Sequence, residues 1–291
     1  MIFDGNVLAG KRILITGGGT GLGRGVAGHL VKHGAQVHLW GRRMNVLEEA
    51  AAEIGEGAFV QAVDVRDADA VDAAVGEIWS AHGPLTGLIN NAAANFIAPT
   101  KNISARAFTA ISSTVMNGSF NTTHAVGKRW IAEELPGSVV STLTSWVWTG
   151  SAFVVPSAMA KAAVHAMTMS LAVEWGRYGI RLNAIAAGPI PTDYAWEMLN
   201  PTSKSSVGAT QSEQVPLQRF GTVEELANLN IFLLSDACDY LTGHTIAMDG
   251  GQHLAGPGTF AGLTSLSDDD WSEVRAQSQA ASEAAKAQRT T

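Results

Sequence analysis

The sequence predicts an α/β fold in which a doubly wound, parallel sheet of seven strands carries helices on both faces. Apolar stretches of strand length alternate with stretches of helical period, which is typical of repeated βαβ units. A glycine-rich turn joins the first strand to the first helix. The chain has 291 residues, of which 46% are hydrophobic and 15% charged. We therefore predict one domain spanning residues 1–291, with a sheet buried on both faces.

Seven strands and six helices are predicted in order along the chain. The strands are Arg12–Thr16, Gln36–Trp40, Ala58–Val63, Gly87–Asn90, Ser138–Leu143, Arg181–Ala186 and His244–Met248. The helices are Gly21–His33, Met44–Ile54, Ala68–Ala81, Ala105–Glu134 with a break near Asn117, Ser157–Tyr178 and Val223–Leu234. Because crossovers between parallel strands are right-handed, the helices are expected on both faces of the sheet.

Two segments interrupt this alternation. Residues 189–218 are polar, rich in Ser, Thr and Pro, and follow the sixth strand, where ligands of such sheets bind. We interpret them as a substrate lid, with a disordered surface insertion as the alternative. Residues 252–291 are predicted to form a C-terminal loop and a helix that begins near Ser267, where three acidic residues complement the positive end of the helix dipole.

Charge and composition narrow the classes of partner. The formal net charge is −7, so the overall field does not attract nucleic acid or an anionic membrane, and no stretch approaches the roughly 20 apolar residues of a membrane span. The single cysteine, Cys238, excludes an internal disulfide. His29 and His33 lie one helical turn apart without a third ligand, so no metal site is expected. Because no targeting signal is recognised, we expect a cytoplasmic protein.

The glycine-rich turn predicts a dinucleotide site of the Rossmann type. Gly17 permits the sharp turn, Gly21 lets the backbone approach a pyrophosphate, and Gly23 lets the helix and the strand close up. The strand before the turn and the helical period after it supply the context that this motif requires. Further cofactor contacts are predicted within the same turn at Gly19, Thr20 and Leu22.

The residues after the second strand select the type of nicotinamide cofactor. An acid at this point would bind the ribose hydroxyls of NAD, whereas this strand is followed by Arg42 and Arg43. Two guanidinium groups favour the additional phosphate of NADP(H), which Arg binds in a bidentate manner. For Arg43, a solvated charge at the start of a helix is an equal alternative.

The third and fourth strands also end in candidate cofactor contacts. Asp64 and Val65 are placed to hydrogen-bond or cover the adenine, and Asn90 is expected to stabilise the sheet. The backbone that follows is expected to lie close to the cofactor at Asn91, Ala92 and Ala93.

With these features, the chain resembles the short-chain dehydrogenase/reductase family over nearly its whole length. The matching features are the Thr16–Gly23 turn, Asp64, Asn90-Asn91-Ala92, Lys161, Arg181-Leu182-Asn183, Gly188-Pro189 and Asp249-Gly250-Gly251. The resemblance implies cofactor contacts at Gly188, Pro189, Ile190 and Lys161. It also implies a homo-oligomer, most often a tetramer in this family, formed through the fourth and fifth predicted helices and the last strand.

The catalytic pattern departs from that of the family. The ordinary pattern has a Tyr four residues before the Lys and a Ser or Thr thirteen residues before the Tyr; here Ser157 and Thr144 stand at those positions. The proton-donating phenol is therefore absent, and Val115 replaces a further Asn of the family pattern. None of the tyrosines at positions 178, 194 and 240 fills the vacancy by its place in the sequence.

This departure resembles the 2,4-dienoyl-CoA reductases of the family, which carry Ser-x-x-x-Lys. Local similarity includes residues 42–47, 91–97, 116–118 and 153–162 and the acidic tail with Trp271. In that subfamily, hydride passes from NADPH to the terminal carbon of a conjugated diene thioester, and a proton is added beside the carbonyl to leave a 3-enoyl-CoA. The resemblance implies an acyl-CoA substrate and a role beside fatty-acid β-oxidation.

Four residues are predicted to carry this reaction. Hydride addition pushes negative charge onto the thioester oxygen, which calls for hydrogen-bond donors rather than a phenol. Asn117 matches the subfamily's carbonyl-binding Asn, Lys161 favours the electron-rich intermediate, and Ser157 positions the water that delivers the proton. Trp146 stands where the mitochondrial type has a Tyr, and its N–H is a candidate carbonyl donor. The alternative for Trp146 is an aromatic wall of an acyl pocket.

Two other functions stay open from the sequence. One is a different reductase or alcohol dehydrogenase, whose acid is Tyr194 or water. The other is a nucleotide-binding subunit without turnover, for which the missing Tyr and Val115 are the motivation. The persistence of Lys161 and Asn117 speaks against a purely structural role.

Overall fold

The computed structural model describes residues 5–192, 212–256, 267–270, 272, 273 and 276. The chain divides into two units, residues 1–253 and residues 254–291, and each is described by itself. The predicted lid falls largely on residues 193–211, and this part, with Tyr194, lies outside the described residues, as does Trp271.

All seven predicted strands are present. They are β1 (Arg12–Thr16), β2 (Gln36–Gly41), β3 (Ala58–Ala62), β4 (Gly87–Asn90), β5 (Gly137–Thr144), β6 (Ile180–Ala187) and β7 (Thr245–Met248). They pair in parallel in the order β3-β2-β1-β4-β5-β6-β7, which confirms the doubly wound sheet. The chain reverses its direction across the sheet between β1 and β4, and the loops that leave these two strands open a crevice at their carboxyl ends.

The six predicted helical regions are present in the predicted order, with ends that differ by up to three residues, and two short helices, Trp146–Thr149 and Gln252–Ala255, were not predicted. In order, the helices are α1 (Gly21–Lys32), α2 (Met44–Ile54), α3 (Ala68–His82), α4 (Ala105–Ser112), α5 (Gly118–Ala132), α6 (Trp146–Thr149), α7 (Val155–Trp175), α8 (Val223–Leu234) and α9 (Gln252–Ala255). A π-helical segment, Ser113–Asn117, forms the predicted break between α4 and α5. α7 begins two residues earlier than predicted, because Pro156 suits a first helical turn, and it ends in a 3₁₀ turn over Gly176–Tyr178.

Alternating side chains of the strands face two separate cores. Ile13 and Ile15 of β1 pack in the core under α1, α2 and α8, whereas Leu14 packs in the core under α3, α5 and α7. Trp130 and Trp175 lie buried in the second core. Burial on both faces explains why the strands have near-continuous apolar sequences.

The C-terminal unit contains the predicted acidic helix start. The backbone N–H of Ser267 donates to the carboxylate of Asp270 at 2.8 Å, and the N–H of Asp270 donates to Ser267 Oγ at 3.2 Å. This reciprocal pair caps the first helical turn. Among the described residues, no helix is both long enough and apolar enough to cross a membrane.

Candidate active site

The glycine-rich turn between β1 and α1 can be made only with glycine at two of its positions. Gly17 has a φ of 66°, in the left-handed region. A Cβ on Gly23 would lie 2.3 Å from the carbonyl oxygen of Gly17, so α1 starts in direct contact with the turn. The first N–H groups of α1 have no partner within the helix and are available to a phosphate.

Thr16 and Asn91 fasten the loop after β1 to the loop after β4. Thr16 Oγ1 accepts from the backbone N–H groups of Asn91 and Ala92, each at 3.0 Å. Asn91 Nδ2 donates to the carbonyl oxygens of Thr16 and Gly17, at 3.2 and 3.3 Å. These bonds bring the predicted contacts at Gly17, Asn91 and Ala92 to one point of the crevice. The positioning role of Thr16 was not predicted.

Asn90 stabilises the sheet as predicted, through α5. Its Nδ2 donates to Thr123 Oγ1 at 2.8 Å, and its Oδ1 accepts from Thr122 Oγ1 at 2.6 Å. All three side chains are buried. Asn90 therefore ties the carboxyl end of β4 to α5 and does not face the crevice with a free amide.

The loop after β6 reaches back to the glycine-rich turn. The N–H of Gly188 donates to the carbonyl oxygen of Met248 at 3.0 Å, and a Cβ on Gly188 would lie 2.6 Å from Asp249 Cα. Further along this loop, Thr192 Oγ1 lies 3.5 Å from where a Cβ of Gly21 would stand. Ile190 is buried in the core, so only its backbone is placed to contact a cofactor.

Three guanidinium groups lie at the ends of β2 and β3. Arg42 and Arg43 are exposed, and Arg66 binds both carboxylate oxygens of Asp64. The hydrogen bonds from Arg66 lower the pKa of Asp64, with a smaller contribution from the charge of Arg42. Asp64, which is predicted to contact the adenine, is thus ionised, and part of its hydrogen-bonding capacity is taken up by Arg66. The two exposed guanidinium groups leave this end of the crevice with positive charge for a phosphate.

Val65 packs against the start of α5 next to Asn117. Its carbonyl oxygen accepts from Asn121 Nδ2 at 3.0 Å, and a Cβ on Gly118 would lie 2.6 Å from its Cγ2. Asn117 ends the π-helical segment, is exposed, and makes no capping bond with its side chain. Its predicted role as carbonyl donor stays a prediction.

Ser157 and Lys161 lie one turn apart near the start of α7, and both are buried. Lys161 Nζ donates to the carbonyl oxygen of Thr142 on β5. Burial lowers the pKa of Lys161 to about 8, because desolvation disfavours the ammonium form. The crevice therefore contains a fixed cation whose pKa is only slightly above neutral pH.

Two buried polar atoms near the carboxyl ends of β4 and β5 have no hydrogen-bond partner among the described residues. They are Thr144 Oγ1, at the end of β5, and Asn95 Oδ1, in the loop after β4. Buried polar groups are almost always paired in folded proteins, so these two atoms are open to a ligand or a water. Four further atoms of this kind, in Arg12, His38, Trp79 and Asn230, lie elsewhere in the described part of the chain. Asn95 was not predicted as a site residue, although it lies within the similar stretch 91–97. Its only signal in the sequence was that similarity.

Around Ser157 the described residues supply an indole but no phenol. Trp146 is half-buried and begins α6, a turn closed by a bond from the Gly150 N–H to its carbonyl oxygen at 2.9 Å. Tyr178 lies at the far end of α7, roughly 30 Å along the helix from Ser157 at 1.5 Å per residue. Tyr240 is exposed in a groove at the amino ends of β5 and β6, the opposite edge of the sheet.

Val115 is part of a buried apolar cluster and has a structural role. Val115 and Ile111 form a small buried cluster with Ala160, which lies between Ser157 and Lys161 on α7. Ala94 and Phe96, from the loop after β4, pack against this cluster. An apolar contact thus replaces the polar one of the ordinary family pattern and holds the loop against α7.

Known proteins share both this sequence and this fold. Residues 17–253 match the family described as "Enoyl-(Acyl carrier protein) reductase". A Caenorhabditis elegans protein named "Probable 2,4-dienoyl-CoA reductase 3 [(3E)-enoyl-CoA-producing]" is 39% identical over 280 residues, which cover 94% of this chain and 91% of that protein. A Bacillus subtilis protein named "Probable 2,4-dienoyl-CoA reductase [(2E)-enoyl-CoA-producing]" is 41% identical over 249 residues, 84% of this chain and 97% of its own.

Solved structures agree on the fold. A short chain dehydrogenase from Bacillus anthracis has 40% sequence identity and a TM-score of 0.76, over 84% of this chain and 96% of its own. A gluconate 5-dehydrogenase from Burkholderia cenocepacia, solved in complex with NADP and tartrate, has 29% identity and a TM-score of 0.78, over 85% of this chain and 97% of its own.

Proposed function

Because the chain belongs to the short-chain dehydrogenase/reductase family, we propose that this oxidoreductase uses NADPH to reduce 2,4-dienoyl-CoA thioesters. The product is a 3-enoyl-CoA, and the reaction serves the β-oxidation of unsaturated fatty acids. The names of the relatives support an acyl-CoA substrate. One observation carries the proposal: the buried Ser157–Lys161 pair stands where the family has a phenol, and unpartnered hydrogen-bonding atoms lie near the carboxyl ends of β4 and β5.

The residues of the crevice fit NADP(H). Gly17 and Gly23 leave room for a pyrophosphate against the start of α1, and the loop with Asn91 is fixed beside them. Arg42 and Arg43 supply positive charge for the phosphate on the adenosine ribose. Lys161 is placed to hold the nicotinamide ribose. When bound, NADPH supplies the hydride.

The substrate side of the crevice stabilises negative charge on the thioester oxygen. Thr144 Oγ1 has no partner among the described residues, so its hydroxyl is free to donate to the thioester oxygen, and Asn117 is the predicted amide donor. The unpaired atom of Asn95 is its amide oxygen, which accepts hydrogen bonds and therefore cannot bind the thioester oxygen. The ammonium of Lys161 lowers the energy of the dienolate, and Ser157 positions the water that protonates the carbon beside the carbonyl.

Trp146 has two alternative roles within this function. As a carbonyl donor it adds one hydrogen bond through its indole N–H; as an aromatic wall it only shapes the acyl pocket. Trp146→Phe keeps an aromatic ring and removes the N–H. Turnover of a dienoyl-CoA that falls at unchanged KM supports the donor role, and unchanged turnover excludes it.

The direct test mixes the purified protein with NADPH and 2,4-hexadienoyl-CoA. We expect nicotinamide absorbance to fall while product mass rises by two hydrogens, with slower reaction of crotonyl-CoA, which lacks the second double bond. Reduction of a simple ketone that is lost in Tyr194→Phe would instead support an ordinary carbonyl reductase. NADPH binding without oxidation across a panel of thioesters would support a subunit without turnover.

We also propose a homotetramer in the cytoplasm. Large apolar side chains are exposed along α5 and α7, with Phe120 at 53% and Val173 at 86% of their full exposure. Contact with other copies of the chain would bury them. Light scattering measures the oligomeric state, and a Val173→Glu variant that stays tetrameric would exclude this face. Fractionation tests the location, since relatives from Danio rerio and Arabidopsis thaliana are named peroxisomal.

A further inference from the structure

We infer that Phe153 determines the acyl-chain preference of the site, because the fold holds its exposed ring in a strained conformation at the edge of the crevice. The inference rests on the proposed function, in which the substrate is an acyl thioester. Phe153 lies four residues before Ser157, in the loop between α6 and α7. Its ring is 55% exposed.

The backbone of Phe153 is in a region that side chains disfavour. Its φ is 65°, and among the described residues only Glu134 and Gln218 share a positive φ without being glycine. Glu134 directly follows the end of α5, where left-handed residues are common, and the side-chain amide of Gln218 donates to the carbonyl oxygens of Glu213 and Val215. Phe153 lies in a turn, where a positive φ usually belongs to glycine or asparagine rather than to an exposed aromatic residue, and strained residues cluster at functional sites.

Anchors on both sides hold this conformation. The carbonyl oxygen of Phe153 accepts from the N–H of Ala98, in the loop after β4, at 2.9 Å. The next residue, Val154, is buried with 4% exposure. On the partner loop, Phe96 packs inward against the cluster that includes Ala160. The strained residue is thus fixed between two loops that both border the Ser157–Lys161 pair.

The two anchored loops expose an apolar rim, defined as Phe153 and Ile97. Ile97 is 37% exposed and precedes Ala98, the donor to the Phe153 carbonyl. Exposed apolar side chains at the edge of a crevice gain free energy when an acyl chain covers them. When the diene lies at the Ser157–Lys161 pair, the carbons beyond it are the part of the substrate that is left to contact this rim. Phe153 therefore favours longer acyl chains without affecting the reacting atoms.

The experiment compares Phe153→Ala, which removes the ring, with the wild-type enzyme and NADPH. For 2,4-decadienoyl-CoA we expect kcat/KM to fall about 10-fold through KM, because each substrate methylene that the ring no longer shields from water weakens binding several-fold. For 2,4-hexadienoyl-CoA we expect a change of at most about 2-fold. Phe153→Gly also relieves the backbone strain, so it should match Phe153→Ala in kinetics and melt at a higher temperature.

Glu134→Gly is the matched control, because it relieves the same kind of φ at a helix end away from the crevice. It should raise the melting temperature and leave chain preference unchanged. Equal losses on both substrates in Phe153→Ala, or an unchanged preference, would overturn the inference while leaving the proposed function intact. Calorimetry of saturated decanoyl-CoA and hexanoyl-CoA with the NADP⁺ complex separates the two claims. Wild-type preference for decanoyl-CoA that Phe153→Ala abolishes supports the rim even if no dienoyl-CoA is turned over, and equal affinities overturn it.

Discussion

The cofactor side and the substrate side of the crevice differ in how their polar atoms are paired. On the cofactor side, the Thr16 hydroxyl and the Asn91 amide bond to the backbone of the loops they join. On the substrate side, Thr144 Oγ1 and Asn95 Oδ1 are buried without a partner among the described residues. The loops of the first region are fixed to each other by their own hydrogen bonds, whereas the second region keeps unpaired polar atoms that a ligand can bind.

This difference separates the region that positions the cofactor from the region that carries out the reaction. Two loops that are joined by their own hydrogen bonds form a rigid platform that positions a dinucleotide. The unpaired hydroxyl of Thr144 can donate to negative charge that develops on a substrate, whereas Asn95 Oδ1 can only accept a hydrogen bond. Mutations on the substrate side should therefore lower kcat, and mutations on the cofactor side should weaken NADPH binding.

The largest effect is expected on the substrate side, for Lys161→Met. Removing the buried ammonium takes away the charge that favours the dienolate, and kcat should fall about 100- to 1,000-fold. Stopped-flow reduction of 2,4-hexadienoyl-CoA at saturating NADPH measures it. Lys161→Arg, which keeps a charge, should recover part of the rate. If Lys161→Met lowers only the affinity for NADPH, Lys161 binds the cofactor and does not stabilise the dienolate.

A second variant pair sharpens the comparison at the thioester oxygen. Asn117→Ala removes the amide that is predicted to donate to the thioester oxygen, and kcat should fall about 100-fold. Asn95→Ala removes an amide whose unpaired atom is an acceptor, and it should change kcat less than about 3-fold. Turnover assays with melting curves distinguish chemistry from folding. The reverse ranking would make Asn95 the carbonyl donor in place of Asn117.

On the cofactor side, Arg42→Ala should weaken NADPH binding about 10-fold and leave NADH binding unchanged, because only NADPH has the ribose phosphate. Fluorescence titration of both cofactors measures the two affinities. Arg43→Ala is the matched control, and a smaller effect there would identify it as a solvated helix-start charge. Equal losses for NADH and NADPH would exclude phosphate recognition by Arg42.

The smallest expected effect is the change in turnover with pH. The pKa of Lys161 is lowered to about 8, so raising the pH through that value removes its proton and its charge. Turnover should therefore be about 2-fold lower at pH 8 than at pH 6.5 and continue to fall above it. Lys161→Arg stays charged over this range and should lose the decline. A decline that persists in that variant would belong to another group.

Features that depend on short stretches of the sequence were predicted well. The glycine-rich turn, the strands and the break at Asn117 follow from short patterns, and Gly118 lies where no side chain fits against Val65. α6 was not predicted, since four residues are too few to show a helical period. Arg42 and Arg43 were identified from their position after a strand.

Features that depend on contacts between distant segments were not predicted. Thr16 meets Asn91 only when β1 and β4 become neighbours in the sheet. The unpaired oxygen of Asn95 and the left-handed φ of Phe153 likewise arise from packing between loops. The lid at 189–218 remains a prediction for its part outside the described residues.

The most direct test of the central claim, that fixed donors and one ammonium reduce a conjugated thioester without a phenol, uses NADPH deuterated at the transferred position. With 2,4-hexadienoyl-CoA in ordinary water, the account predicts a 3-enoyl-CoA with deuterium on the terminal carbon of the former diene and a solvent proton on the carbon beside the carbonyl. Deuterium on the carbonyl carbon, or oxidation of NADPH only with simple ketones, would contradict it.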